Sequence, residues 1–285
     1  MRSPFRMRDR FNINNYSNLG QRVITALLGA TVIIAGAIYS PWIYFVTFGL
    51  ILAFSQMEFY KLSGLDGMLP LKSFGTFLGL LIFSLTFFIE IGHMNDKYYF
   101  LIFPLVSLVF FIKLYRKSDK KPFTGVAYTF LGIFYVAVPF ALLNVAAFAV
   151  DETFHYEIII GSLLILWASD SGAYFAGTKF GKTKLFERVS PKKSWEGFLG
   201  GAGTAYVISY VLGKHFNTLP SWQWLSIATI IIIAGTYGDL IESLFKRSIE
   251  IKDSGKTLPG HGGFMDRFDG LLLSAPFIAA FLKIF

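Results

Sequence analysis

Twenty-seven residues, Ser243 to Asp269, hold five cations, four acids, one histidine and four glycines. They read Ser243-Leu-Phe-Lys246-Arg247, then Lys252-Asp253-Ser-Gly-Lys256, then Pro259-Gly-His261-Gly262-Gly263, then Asp266-Arg267-Phe-Asp269. Phosphate binding needs cations and a close approach of backbone N–H groups, which glycine permits. Magnesium prefers carboxylate oxygens and is commonly shared with substrate phosphates. One stretch meets both requirements. A loop that only sets membrane orientation needs cations alone, so the interleaved acids point to chemistry on a phosphorylated substrate.

Further acids lie upstream in apolar surroundings, where ionisable groups are costly and usually functional. Asp170 sits in Trp167-Ala-Ser-Asp-Ser-Gly-Ala-Tyr174, and Asp239 and Glu242 sit in Gly238-Asp-Leu-Ile-Glu-Ser243. Asp239, Glu242 and Lys246 share one helix face by their spacing. A second basic stretch, Ser190-Pro-Lys192-Lys193-Ser194-Trp-Glu196-Gly197, puts cations and hydroxyls at a predicted helix start, a ready anion site. Glu196 there is expected to cap that helix rather than meet a cation. His261 reads equally as a phosphate contact or acid and as a structural hydrogen-bonding residue. There is no cysteine, and neither a Ser-His-Asp arrangement nor an HExxH pattern is visible, so thiol, serine-hydrolase and zinc-protease chemistry have no support.

The elements that must position these residues are membrane helices. The 285 residues are 54% hydrophobic and only 15% charged, with 32 phenylalanines. A water-soluble fold of this length could not hide so much apolar surface. Apolar runs predict an all-α integral membrane protein with about nine transmembrane helices, near 22–39, 42–60, 72–90, 98–115, 124–149, 157–177, 196–213, 222–245 and 270–285. With the N-terminus cytoplasmic and the C-terminus external, every Lys and Arg except Lys97, Lys214 and Lys283 falls on the cytoplasmic side, as the positive-inside rule requires. The net charge of +8 is therefore a topology signal, and no nucleic-acid partner is needed to explain it. The chain divides into a basic N-terminus (1–21), a scaffold of about five helices (22–150) and a catalytic region of about four (151–285). The two long cytoplasmic loops of that last region, 178–194 and 246–269, face the same aqueous pocket as the acids. Glycines 172, 177, 197, 200, 201 and 203 are expected to let helices approach closely.

The motif running from Ser243-x-Phe-Lys-Arg through Lys252-Asp253-x-Gly255 to Pro259-x-His261-Gly-Gly-Phe-x-Asp266-Arg267-Phe-Asp269 resembles the signature of phosphatidate cytidylyltransferases, or CDP-diacylglycerol synthases. Asp170-Ser-Gly-Ala-Tyr174 and Ser190–Gly197 resemble the same family, which makes the likeness strong over 167–269. The resemblance implies a reaction of CTP with phosphatidate to give CDP-diacylglycerol and pyrophosphate. It implies magnesium, allows potassium as a second metal, and implies a homodimer in the inner membrane with its active site facing the cytoplasm. It assigns the metal to Asp239 and Asp266. The expected catalytic set is Asp170, Asp239, Lys246, Asp266 and Arg267. The expected substrate-binding set is Ser190, Lys192, Lys193, Ser194, Ser243, Arg247, Lys252, Asp253, His261, Gly262, Gly263 and Asp269. Two other readings compete: a CTP-dependent polyprenol or phytol kinase, which would release CDP, and an ion-coupled transporter, whose charges would lie near the bilayer midplane.

Overall fold

A computed structural model of the chain describes residues 18–64, 69–117, 119, 121–251 and 263–285. Its helices are α1 (Asn18–Tyr39), α2 (Pro41–Ser63), α3 (Lys72–Glu90), α4 (Ile102–Tyr115), α5 (Pro122–Gly132), α6 (Val138–Ala147), α7 (Tyr156–Phe180), α8 (Trp195–His215), α9 (Ser221–Ile230), α10 (Thr236–Ser248) and α11 (Met265–Ile284). A 3₁₀ turn (Asp96–Leu101) leads into α4. One π turn (Ile133–Ala137) joins α5 to α6 into one rod, and another (Ile231–Gly235) joins α9 to α10. The described residues thus form nine rods. Six are long and apolar enough to cross a membrane: α2, α3, α4 with its lead-in, α5–α6, α7 and α9–α10.

Local chemistry sets several of these boundaries. Ser40 caps α2 by accepting from Ile43 N at 3.2 Å, and Pro41 occupies the first turn, where its missing N–H costs nothing. Large side chains such as Phe103, Phe111, Leu114 and Phe134 point outward and stay exposed, as expected where the solvent is lipid. Polar stitches hold the scaffold inside: Tyr44 donates to Asn144 at 3.0 Å, and Asn144 donates to Phe83 O and Thr86 at 2.9 and 2.8 Å. The α7–α8 pair is drawn close by glycines, with Gly172 facing Thr204 and Gly200, and Gly201 facing Ser169.

Two expectations need correction. The fold is not wholly α-helical. Lys184–Phe186 (β1) and Ser190–Ser194 (β2) pair as a short antiparallel hairpin in the stretch read as a loop, with Lys184 opposite Ser194 and Phe186 opposite Ser190. The Glu196 carboxylate closes its base by accepting from Lys182 N at 3.1 Å and Thr183 N at 3.1 Å, while buried Val189 anchors its turn. The second loop is also shorter than 246–269, because α10 runs to Ser248 and α11 starts at Met265. Lys246, Arg247, Asp266, Arg267 and Asp269 are helical. Lys246 and Asp266 pair across the two helices, Asp269 accepts from Gly270 N, and Arg247 donates to Ile251 O at the end of α10.

Candidate active site

The site is built on the facing ends of α10 and α11. Asp239, Ser243 and Lys246 follow one another along α10, and Ser243 Oγ donates to Asp239 Oδ1 at 3.3 Å. Lys246 Nζ bridges the helices, donating to Glu242 Oε2 at 3.1 Å and to Asp266 Oδ1 at 2.8 Å. The other Asp266 oxygen accepts from Gly263 N at 3.0 Å, so this carboxylate folds back over the start of its own helix. Asp269 accepts from Gly270 N at 2.7 Å and lies within electrostatic reach of Asp239, Asp170 and Glu242. Close backbone contact makes this possible: a Cβ on Gly238 would lie 2.4 Å from Asp269 O.

The hairpin and α7 complete the constellation. Lys193, from β2, reaches Asp239 Oδ2 at 2.5 Å. Asp170, from α7, lies within electrostatic reach of Asp239, Lys193 and Arg267. Five carboxylates from three helices therefore converge with Lys193, Lys246 and Arg267. Ser194 caps α8, its Oγ accepting from Gly197 N at 3.1 Å, while Glu196 serves the hairpin. Ser190 and Lys192 lie on the same strand, with Lys192 exposed. Arg247 turns to Ile251 O at 3.0 Å, at the end of α10. Lys252, Asp253, His261 and Gly262 lie outside the described residues.

Three residues join the site beyond the expected catalytic and substrate-binding sets. Glu242 was placed on the right helix face but given no role; it is 1% exposed and central to the cluster. Glu58, in α2, accepts from Phe264 N at 3.0 Å and Met265 N at 3.4 Å. Its one signal in the sequence was an acid within a long apolar run. Tyr135, in the first π turn, lies within electrostatic reach of Glu242, Asp269 and Asp239, and its hydroxyl is buried without a hydrogen-bond partner.

The donor set suits a hard divalent cation. Every negative ligand in the cluster is a carboxylate oxygen, and magnesium is typically held by one or two carboxylates plus substrate phosphates and water. Among the described residues no three such groups already stand at metal-holding spacing. Glu242 Oε1 is buried without a donor, an orphaned carboxylate oxygen in the middle of the cluster.

Fold and site together define a polytopic membrane protein whose charged helix ends gather acids and cations for a phosphorylated ligand. The profile of the cytidylyltransferase family matches residues 20–285, and the chain belongs to that family. It is 31% identical to the phosphatidate cytidylyltransferase of Haemophilus influenzae over 92% of this chain and 98% of that one. It is also similar to the phosphatidate cytidylyltransferases of Bacillus subtilis (39% identity over 50% of this chain and 58% of the relative) and Staphylococcus saprophyticus (36% over 61% and 66%).

Proposed function

We propose that the protein is a phosphatidate cytidylyltransferase acting at the cytoplasmic face of the bacterial inner membrane. An oxygen of the phosphatidate phosphate attacks the α-phosphorus of CTP. A new P–O bond forms as the bond to the α–β bridging oxygen breaks, and the electron pair leaves with pyrophosphate. Both substrates are polyanions, so the barrier is dominated by charge repulsion and positioning, and fixed cations lower it most. Lys193, Lys246 and Arg267 supply those cations. Asp239 and Asp266 are the residues to hold magnesium, with Asp170, Glu242 and Asp269 beside them. The bound ion supplies neutralisation of the phosphates and of the charge developing on the leaving group.

The observation that carries this reading is the convergence of α7, β2, α10 and α11 on one mixed-charge cluster, in a chain of this family. The topology supports it. The ends of α7 and α10, the β2 strand before α8 and the start of α11 carry basic residues, while Lys283 and Glu90 pair at the opposite end of α11. This arrangement supports the reading that the cluster and the C-terminus lie on opposite sides of the membrane.

The test is turnover by the purified protein given CTP and phosphatidate. Pyrophosphate release is expected, abolished by EDTA and restored by magnesium. Release of CDP instead would mark a lipid kinase. Asp266→Ala is expected to lose at least about 10²-fold in turnover, and a wild-type rate in that variant would remove Asp266 from the chemistry.

A further inference from the structure

The helix that carries Asp266, Arg267 and Asp269 begins after Phe264, whose side chain makes no capping hydrogen bond. A helix start leaves N–H groups with no intrahelical partner, and these are costly to leave unpaired away from water. Here the cap comes from the other half of the protein. Glu58 takes the N–H groups of Phe264 and Met265 on its two oxygens, from 206 and 207 residues away in sequence. It is 7% exposed. One turn earlier in α2, Phe54 stacks on Phe264 with ring centroids 5.2 Å apart. One residue later, Phe59 stacks on Phe245 of α10 at 5.1 Å. This end of α2 therefore grips both helices that hold the acids. The two N–H groups that Glu58 holds immediately precede Asp266, whose own oxygens are committed to Gly263 N and Lys246. Any drift at the start of α11 moves Asp266 and Asp269 relative to Asp239.

We infer that Glu58 is a positioning residue: its carboxylate sets the start of α11 and thereby the spacing of the site carboxylates. This rests on the proposed cytidylyl transfer at the α10–α11 cluster. The N-terminal scaffold then takes part in the chemistry, although its own spans carry few charged residues.

The molecule supplies its own control. Glu90, at the end of α3, ties the far end of α11 through Lys283 at 3.1 Å. Both carboxylates anchor α11 to the scaffold, but only the Glu58 end carries the site. The full chain, purified in mixed phospholipid–detergent micelles, is assayed as wild type, Glu58→Ala, Glu58→Gln and Glu90→Ala. Pyrophosphate release is followed against CTP concentration, and amide hydrogen exchange is followed across 263–267. In Glu58→Ala, kcat is expected to fall by roughly 10²-fold, the scale of a one-ångström misplacement. The KM for CTP should stay within about twofold, because no CTP contact is lost. Exchange at 263–267 should rise about tenfold or more. Glu58→Gln keeps an acceptor oxygen and should recover about tenfold of the lost rate. Glu90→Ala should lower the melting temperature while leaving kcat and the 263–267 exchange at wild-type values. A wild-type kcat in Glu58→Ala overturns the inference, as does a glutamine variant no better than alanine. Equal loss of kcat in Glu90→Ala overturns it too, since that would signify general loosening. If alanine gives no folded protein, Glu58→Gln decides alone, and wild-type kcat with unaltered exchange in it is the refuting result. Absence of pyrophosphate release in the wild-type arm would sink the functional reading, while the exchange arm still decides whether Glu58 holds the start of α11.

Discussion

Replacing Lys246 by methionine tests the centre of the cluster. Glu242 is 1% exposed, one of its oxygens has no hydrogen-bond partner, and the other depends on Lys246 at 3.1 Å. The same ammonium holds Asp266 at 2.8 Å, so its loss takes the cation from two carboxylates at once, although Asp266 keeps the Gly263 N–H. Removing one partner of a buried ion pair costs about 3–5 kcal/mol, because a charge is left buried and unpaired. The side chains of Lys246 and Asp266 are still 13% and 12% exposed, and water admitted there favours the lower end of that range. At about 2–4 °C per kcal/mol, a loss near 3 kcal/mol lowers the melting temperature by roughly 6–12 °C. The double variant Lys246→Met/Glu242→Gln removes the stranded charge on Glu242, so it should regain about 1–3 kcal/mol as a coupling energy. Turnover should behave differently. Loss of the cation is expected to cost roughly 10²–10³-fold in kcat, and the double variant should not restore it. Melting in detergent and pyrophosphate release, measured on the three proteins together, separate the two effects. A double variant as unstable as the single one refutes the idea that Lys246 neutralises Glu242. A single variant with wild-type turnover removes Lys246 from the phosphate-binding set.

Two further substitutions probe the frame. A Cβ on Gly172 would lie 2.1 Å from Thr204 Oγ1 and 2.8 Å from Gly200 O, so Gly172→Ala should force α7 and α8 apart and cost about 1–3 kcal/mol in a thermal melt. Gly203→Ala, with nothing within 4 Å, should be neutral or slightly stabilising in the same melt. Ser194→Ala should lose about 1 kcal/mol of stability as a helix cap. A raised KM for CTP with unchanged stability would instead assign the Ser194 hydroxyl to substrate.

The sequence was readable wherever the solvent wrote the pattern. Lipid demands long apolar runs, and the spans expected near 72–90 and 222–245 appear as α3 and the α9–α10 rod. The Ser40-Pro41 break was legible because proline and a capping serine act within a few residues. Boundaries failed where charge entered a helix. Hydropathy assigns Lys246, Arg247 and Asp266–Asp269 to a loop, because it scores each residue as though it faced the bilayer. Lys246 and Asp266 face one another across the two helices instead, and the backbone there stays helical. The hairpin was missed for a related reason: its closing contact is a carboxylate on α8 accepting N–H groups from Lys182 and Thr183, which no alternation of residue types announces. Asp170, Asp239, Asp266 and Asp269 could be named as candidates because acids in apolar surroundings are conspicuous. Glu58 was equally conspicuous, yet its partners lie more than 200 residues away, and only the folded chain brings them together.

The two π turns explain why that folded arrangement works. A π turn inserts one residue into a helix, which rotates everything beyond it by about 100° relative to an unbroken α-helix. One such turn, Ile231–Gly235, ends four residues before Asp239. Without it, the face that carries Asp239, Glu242 and Lys246 would be rotated by about 100° from its present partners. With it, Gly238 packs against the backbone of Asp269, and Lys246 reaches Asp266. The other turn, Ile133–Ala137, holds Tyr135, whose buried hydroxyl lies within electrostatic reach of the same acids. Neither turn has a signature in its residues; Ile-Ile-Ile-Ala-Gly would serve any apolar helix. A rotation of 100° is tolerable in a rod surrounded by lipid only if the new inward face gains partners. The Lys246–Asp266 pair across α10 and α11 and the Lys193–Asp239 pair from β2 are those partners, so the site's charges help select the helix geometry that in turn holds them in place.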